Sequence, residues 1–98
     1  MEPETRSGKR LLIEGRVQGV GYRASFAAKA IELGLAGWVR NRHDGSVEAC
    51  VCGDASIITR ITEWAWRGPA AAKVDQITCE DVTAANTQDD TFKILPTV

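Results

Sequence analysis

The hydrophobic period of this chain changes abruptly at one place, and that change constrains the fold more than any bulk property. Over residues 9–17, Leu11, Ile13, Gly15 and Val17 fall on one face and Leu12 and Glu14 on the other. That is the period of a strand. Over residues 23–33, Phe26, Ala27, Ala30, Ile31 and Leu33 recur at helical spacing, alanine is frequent, and Gly34 is placed to end the helix. Between them lies EGRVQGVGYR, residues 14–23, with glycines at 15, 19 and 21 and arginines at 16 and 23. The chain therefore opens as strand, glycine-rich turn, helix.

The rest of the chain follows the same local rules. Trp38 and Arg40 alternate with Val39 and Asn41, and Asp44-Gly45 is a strong hairpin signal. Val47, Ala49 and Val51 then alternate with Glu48, Cys50 and Cys52, which predicts a two-stranded antiparallel hairpin. Asp54 is a good N-cap for a helix whose stripe is Ile57, Ile61 and Trp64, flanked by Ile58 and Ala65, and Gly68-Pro69 stops it. Trp66 lies off that stripe and is expected at the surface. Residues 73–82 read as a strand, with Val74, Gln76, Thr78 and Glu80 opposite Asp75, Ile77, Cys79 and Asp81. Residues 91–95 suit a short final strand. The order βαββαβ predicts an α+β fold, the ferredoxin-like split βαβ sandwich: an antiparallel sheet with two helices on one face. Residues 1–8 are expected as a flexible tail and residues 9–98 as one domain.

Bulk properties narrow the function. Ninety-eight residues, 44% of them hydrophobic, fit one domain with its own core. Twelve basic and 13 acidic residues leave a net charge of -1 and 6% of residues are aromatic, which argues against nucleic acid as a partner. No apolar run reaches the roughly 20 residues of a membrane span. Three cysteines, an odd number, and no signal peptide point to the reducing cytoplasm. Cys50 and Cys52 share one strand face and read as small semi-apolar side chains. A metal site needs further ligands, and the one histidine, His43, is expected in solvent beside the hairpin turn, so no metal is expected. A monomer is the expected state.

A glycine-rich turn entering a helix is a place for an anion. Glycines let backbone N–H groups converge, and the helix N-terminus adds unpaired donors and roughly half a positive charge. Arg23 sits at that end, where a guanidinium is mildly unfavourable for the helix but forks well onto phosphate oxygens. GVGYRA formally matches the dinucleotide fingerprint, with Asp44 about twenty residues on. Asp44 belongs to a hairpin turn, however, and the chain is too short for a doubly wound sheet. Asn41, near the end of its strand, suits ordinary turn chemistry or the orientation of a water molecule. Spacing alone leaves both readings of Asn41 open.

EGRVQGVGYR before a helix, then GWVRNRHDGSVE, then WRGPAAAKVDQI, closely resemble the acylphosphatase family over residues 9–94, in order and with family-like spacing. The resemblance implies the ferredoxin-like sandwich and hydrolysis of the carboxyl-phosphate bond of acyl phosphates, without metal or organic cofactor. It implies that Arg23 binds phosphate and Asn41 orients the attacking water. It also implies a phosphate loop of Arg16, Val17, Gln18, Gly19, Val20, Gly21 and Tyr22, acting through backbone N–H groups. Inorganic phosphate or sulfate is then expected to compete with substrate. Tyr22 stands where many members carry phenylalanine, and GPAAAKV replaces a more usual double-proline turn; neither departure touches the inferred site. The same motifs occur as a domain of larger carbamoyl-transfer maturation proteins, so the resemblance leaves the physiological substrate open. The competing classes are a phosphoanion-binding module without turnover and a single-stranded RNA-binding sheet.

Overall fold

A computed structural model describes residues 6–83 and 91–98. Its elements are β1 (Arg6–Arg16), α1 (Tyr22–Glu32), β2 (Ala36–Asn41), β3 (Val47–Asp54), α2 (Ala55–Arg67), β4 (Lys73–Val82) and β5 (Phe92–Ile94). The five strands form one sheet in the order β4-β1-β3-β2-β5. Strands β1 to β4 pair antiparallel, as the ferredoxin-like reading requires, and β5 pairs parallel to β2. The sheet is therefore mixed rather than wholly antiparallel. The direction of β4 decides this: Val82 pairs with Gly8, at the sheet end where Ala36 starts β2. A chain leaving β4 there can only run back up the sheet, alongside β2.

Strand β1 begins at Arg6, three residues earlier than expected. Arg6, Ser7 and Gly8 pair with Asp54, Gly53 and Cys52, so this part of the expected tail is sheet. Its polar residues gave no hydrophobic alternation to read; cross-strand backbone pairing holds them. Residues 1–5 of that tail lie outside the described residues, as do residues 84–90.

Both helices cover one sheet face. α1 packs over β2 and β5, α2 over β1, β3 and β4. The core between them holds Leu11, Ile13, Val39, Val47, Ala49 and Val51 from the strands, with Phe26, Ala30, Ile58 and Ile61 from the helices. Phe26 sits at the centre of an aromatic group, its ring 5.9 Å from those of Trp64 and Phe92. α2 follows its expected stripe, with Ile58, Ile61 and Ala65 buried and Ile57 and Trp64 packed at the edge, while Trp66 is exposed. Asp54 caps α2: its Oδ1 accepts from the Ser56 N–H at 2.9 Å and the Ser56 hydroxyl at 2.6 Å.

Two hydrophobic positions depart from the sequence pattern. Ile31, expected in the α1 stripe, is 62% exposed. The buried arc of α1 runs through Tyr22, Phe26, Ala30 and Ala27, and about 100° per residue puts Ile31 roughly 40° beyond its Ala27 edge. In β4, strict alternation sends Val74 and Ile77 to opposite faces, yet both pack against the core. The register shows why: Glu14 pairs with Gln76 but Gly15 pairs with Val74, so Asp75 is the extra residue of a β-bulge. A Cβ at Gly15 would run into the backbone of Lys73 and Asp75, so only glycine fits beneath the bulge.

The other sheet face carries a polar cluster. Glu48 is 4% exposed. Its carboxylate accepts from Arg10 Nε at 2.7 Å, Arg40 Nε at 2.9 Å and Arg42 Nη1 at 3.3 Å. Burial pushes this carboxyl up, but the hydrogen bonds from Arg10 and Arg40 outweigh burial and hold it below the usual range. The Arg40 guanidinium also stacks 4.7 Å over Trp38, covering an aromatic that an RNA-binding sheet would present. No helix among the described residues is long and apolar enough to cross a membrane.

Candidate active site

The glycine turn lies between the end of β1 and the start of α1. Gly19 and Gly21 adopt φ of 76° and 80°, which side chains with a Cβ resist, and Gly21 is itself the N-cap of α1. That start contrasts with α2, which Asp54 caps: among the described residues no side chain caps α1. The first-turn N–H groups of α1 thus have neither an intrahelical acceptor nor a capping oxygen. The helix is held from the other side. Tyr22 and Phe26 are buried in the core, and the Tyr22 hydroxyl donates to the Ala65 carbonyl at 2.6 Å.

A cleft of about 210 Å³ opens at this point, lined by Val17, Gln18, Gly19, Gly21, Tyr22, Arg23, Ala24 and Asn41. It brings together Arg23, from α1, and Asn41, from the end of β2, which lie 18 residues apart in the sequence. Arg23 is half-buried, and among the described residues it has no ion-pair or side-chain hydrogen-bond partner. Arg10, Arg40 and Arg42, by contrast, are all engaged with Glu48. Asn41 ends β2, and its side-chain oxygen is buried without a hydrogen-bond partner among the described residues. A buried unpaired acceptor normally costs about 1–3 kcal/mol, and this one lines the same cleft as Arg23.

Not every expected loop residue faces the cleft. Arg16 closes β1 opposite Lys73, exposed and outside the lining, and Val20 packs towards the core. Ala24 lines the cleft and was not expected there; its methyl is small enough to leave no trace in the sequence. Among the described residues no three or more His, Cys, Asp or Glu side chains gather where a metal ion could sit.

A further pocket-side contact was invisible in the sequence. The Gln18 side-chain amide donates to the Arg42 carbonyl at 2.7 Å and to the Ser46 carbonyl at 2.8 Å. It ties the loop to the β2–β3 hairpin. That hairpin is further closed by Asp44, whose Oδ1 accepts from the Ser46 N–H at 2.9 Å and the Ser46 hydroxyl at 2.6 Å.

Fold and cleft together define a ferredoxin-like α+β sandwich with a glycine-rich turn at a helix N-terminus. The family model for acylphosphatase matches residues 9–94. An acylphosphatase of Azoarcus sp. (strain BH72) is 55% identical over 97 residues, covering 98% of this chain and 97% of that protein. The structure of an acylphosphatase from Coxiella burnetii superposes with a TM-score of 0.85 at 36% identity, covering 93% of this chain and 94% of that one. Full-length HypF in its phosphate- and nucleotide-bound form also superposes, with a TM-score of 0.84 at 26% identity, over 94% of this chain but 12% of that one. The chain belongs to the acylphosphatase family.

Proposed function

We propose that Arg23, the loop of residues 16–22 and Asn41 form the catalytic site for hydrolysis of acyl phosphates. As a member of its family the protein is an enzyme that hydrolyses acyl phosphates; the roles of individual residues are our reading of the cleft. The observation that carries this reading is the buried Asn41 Oδ1 in the same cleft as the Arg23 guanidinium, both without a side-chain partner among the described residues.

The chemistry asks little of the protein. The departing carboxylate has a pKa near ~4, so it leaves at neutral pH without a general acid. What remains is to hold the phosphoryl group, spread its charge and place a water in line. Loop and first-turn N–H groups accept the phosphoryl oxygens, and the Arg23 guanidinium forks onto two of them. The Asn41 side-chain oxygen accepts a hydrogen bond from the attacking water and fixes its approach. Water attacks phosphorus, the P–O bond to the acyl group breaks, and the products are carboxylate and inorganic phosphate. A substrate phosphoryl oxygen takes the water's proton. No covalent phosphoenzyme forms.

Inorganic phosphate or sulfate occupies the same loop and competes with substrate. The working state is a monomer in the cytoplasm. The test is hydrolysis of acetyl or benzoyl phosphate with EDTA present, with Arg23→Ala beside the intact protein. Fast turnover lost in the variant supports the reading. Tight phosphate binding without turnover in either protein replaces it with a non-enzymatic anion-binding module.

A further inference from the structure

We propose that the Gln18 side chain is a positioning residue that sets Asn41 in register with the glycine loop; this rests on the catalytic reading above. Loop and hairpin are far apart along the chain, 24 residues from Gln18 to Arg42. Their relative placement needs a tertiary tie. Gln18 spends both N–H donors of its amide on that tie, one on the Arg42 carbonyl and one on the Ser46 carbonyl. The reverse amide orientation would set its oxygen against two carbonyl oxygens, so the donor assignment follows from the partners.

These two bonds are not needed to satisfy the hairpin. The Arg42 carbonyl already accepts from the Gly45 N–H at 3.0 Å, and the Ser46 carbonyl from the Arg42 N–H at 2.9 Å. Each oxygen offers Gln18 its second lone pair. A planar amide that reaches two fixed acceptors defines both distance and orientation between the bodies it joins. Arg42 directly follows Asn41, so the loop is fixed one residue from the amide proposed to hold the water. Among the described residues the Asn41 Oδ1 has no hydrogen-bond partner, and its position is therefore inherited from the backbone around it.

The test uses Gln18→Met, which keeps length and loses the donors, and Gln18→Glu, which keeps shape and puts a carboxylate against both carbonyls. Displacing a reacting group by about 1 Å costs up to a hundredfold, so kcat is expected to fall roughly ten- to hundredfold in Gln18→Met and further in Gln18→Glu. In Gln18→Met, inhibition by inorganic phosphate stays within about twofold, because Arg23 and the loop N–H groups remain; in Gln18→Glu the new carboxylate on the cleft wall weakens it. A space-filling role predicts the opposite order, with Gln18→Glu the milder change. In an Asn41→Ala background, Gln18→Met has little further effect on kcat, since one acts through the other. The Asn41 side-chain amide resonances shift in Gln18→Met, a readout that does not require turnover. In Gln18→Met, unchanged kcat, a full additional loss on top of Asn41→Ala, phosphate affinity falling in step with kcat, or unmoved Asn41 resonances would each overturn the proposal. Absence of acyl phosphate turnover in the intact protein would instead overturn the catalytic reading, while the resonances still report on the coupling.

Discussion

The Tyr22 hydroxyl donates to the Ala65 carbonyl, 43 residues further along the chain, at 2.6 Å. That carbonyl lies in the last turn of α2 and in a regular helix would accept from residue 69. Residue 69 is proline and has no N–H. Tyr22 supplies the missing donor from the start of α1, and burial of the phenol raises its pKa, so it stays protonated. The sequence reading treats tyrosine in place of phenylalanine as neutral for the site; the structure adds a bond that phenylalanine lacks. Tyr22→Phe is expected to cost about 1–2 kcal/mol by leaving the Ala65 carbonyl unpaired. Tm then falls by roughly 5–10 °C in a domain of this size, while kcat changes little. Calorimetry beside steady-state kinetics checks both.

Arg23→Ala is expected to lower kcat/KM on the order of a thousandfold, as for loss of one preorganised charge-stabilising group. Arg23→Lys restores little of it, because a point charge does not reproduce the fork. Steady-state rates on benzoyl phosphate decide the matter; a lysine variant near parental activity would remove the bidentate role.

Asn41→Ala is expected to depress kcat and to leave the inhibition constant for phosphate nearly unchanged, because it removes a water-holding group rather than an anion-holding one. If phosphate binding is lost and turnover persists, the two assigned roles are reversed.

Glu48 makes stability depend on pH with a definite sign. Its folded pKa is depressed, so the ion cluster stabilises fully above the ordinary glutamate range, near ~4.3, and this contribution is lost as pH falls below it. Glu48→Gln is expected to lose about 2 kcal/mol at pH 7, discounted from a fully buried pair because its three arginines are partly exposed. The gap between parent and variant closes in acid. Urea unfolding at pH 7 and at acid pH measures it, and a constant gap would contradict the argument.

The cysteines differ in burial. Burial, then the neighbouring Cys52, push the Cys50 thiol up to about 11, whereas Cys79 lies exposed on β4. Iodoacetamide at neutral pH is expected to alkylate Cys79 well before Cys50, as read by peptide mass spectrometry.

Much of this architecture is legible in the chain, because it depends on neighbours a few residues apart. The change of period at residues 14–23, the Asp44-Gly45 turn, the Asp54 cap and the Gly68-Pro69 stop mark the elements with small errors at their ends. Arg23 stood out from its place at the helix entry, but its pairing with Asn41 was visible only through the resemblance of two long motifs, since Asn41 before a turn is otherwise unremarkable.

What stayed hidden depends on contacts between distant segments. Local pattern does not say that Asp75 bulges over Gly15, that residues 6–8 continue β1, or that Ile31 falls outside the buried arc. Nor does it say that Glu48, polar and alternating as a surface residue should, is buried beneath three arginines. Sequence by itself determined the order and type of the elements, because φ, ψ preference and hydrophobic period are local properties. Only the tertiary structure decided which polar groups meet: Gln18 with the hairpin carbonyls, Tyr22 with Ala65, and Asn41 with Arg23 in one cleft. A hydrogen bond requires atoms within about 3 Å, and strand register and helix packing alone bring such distant residues that close.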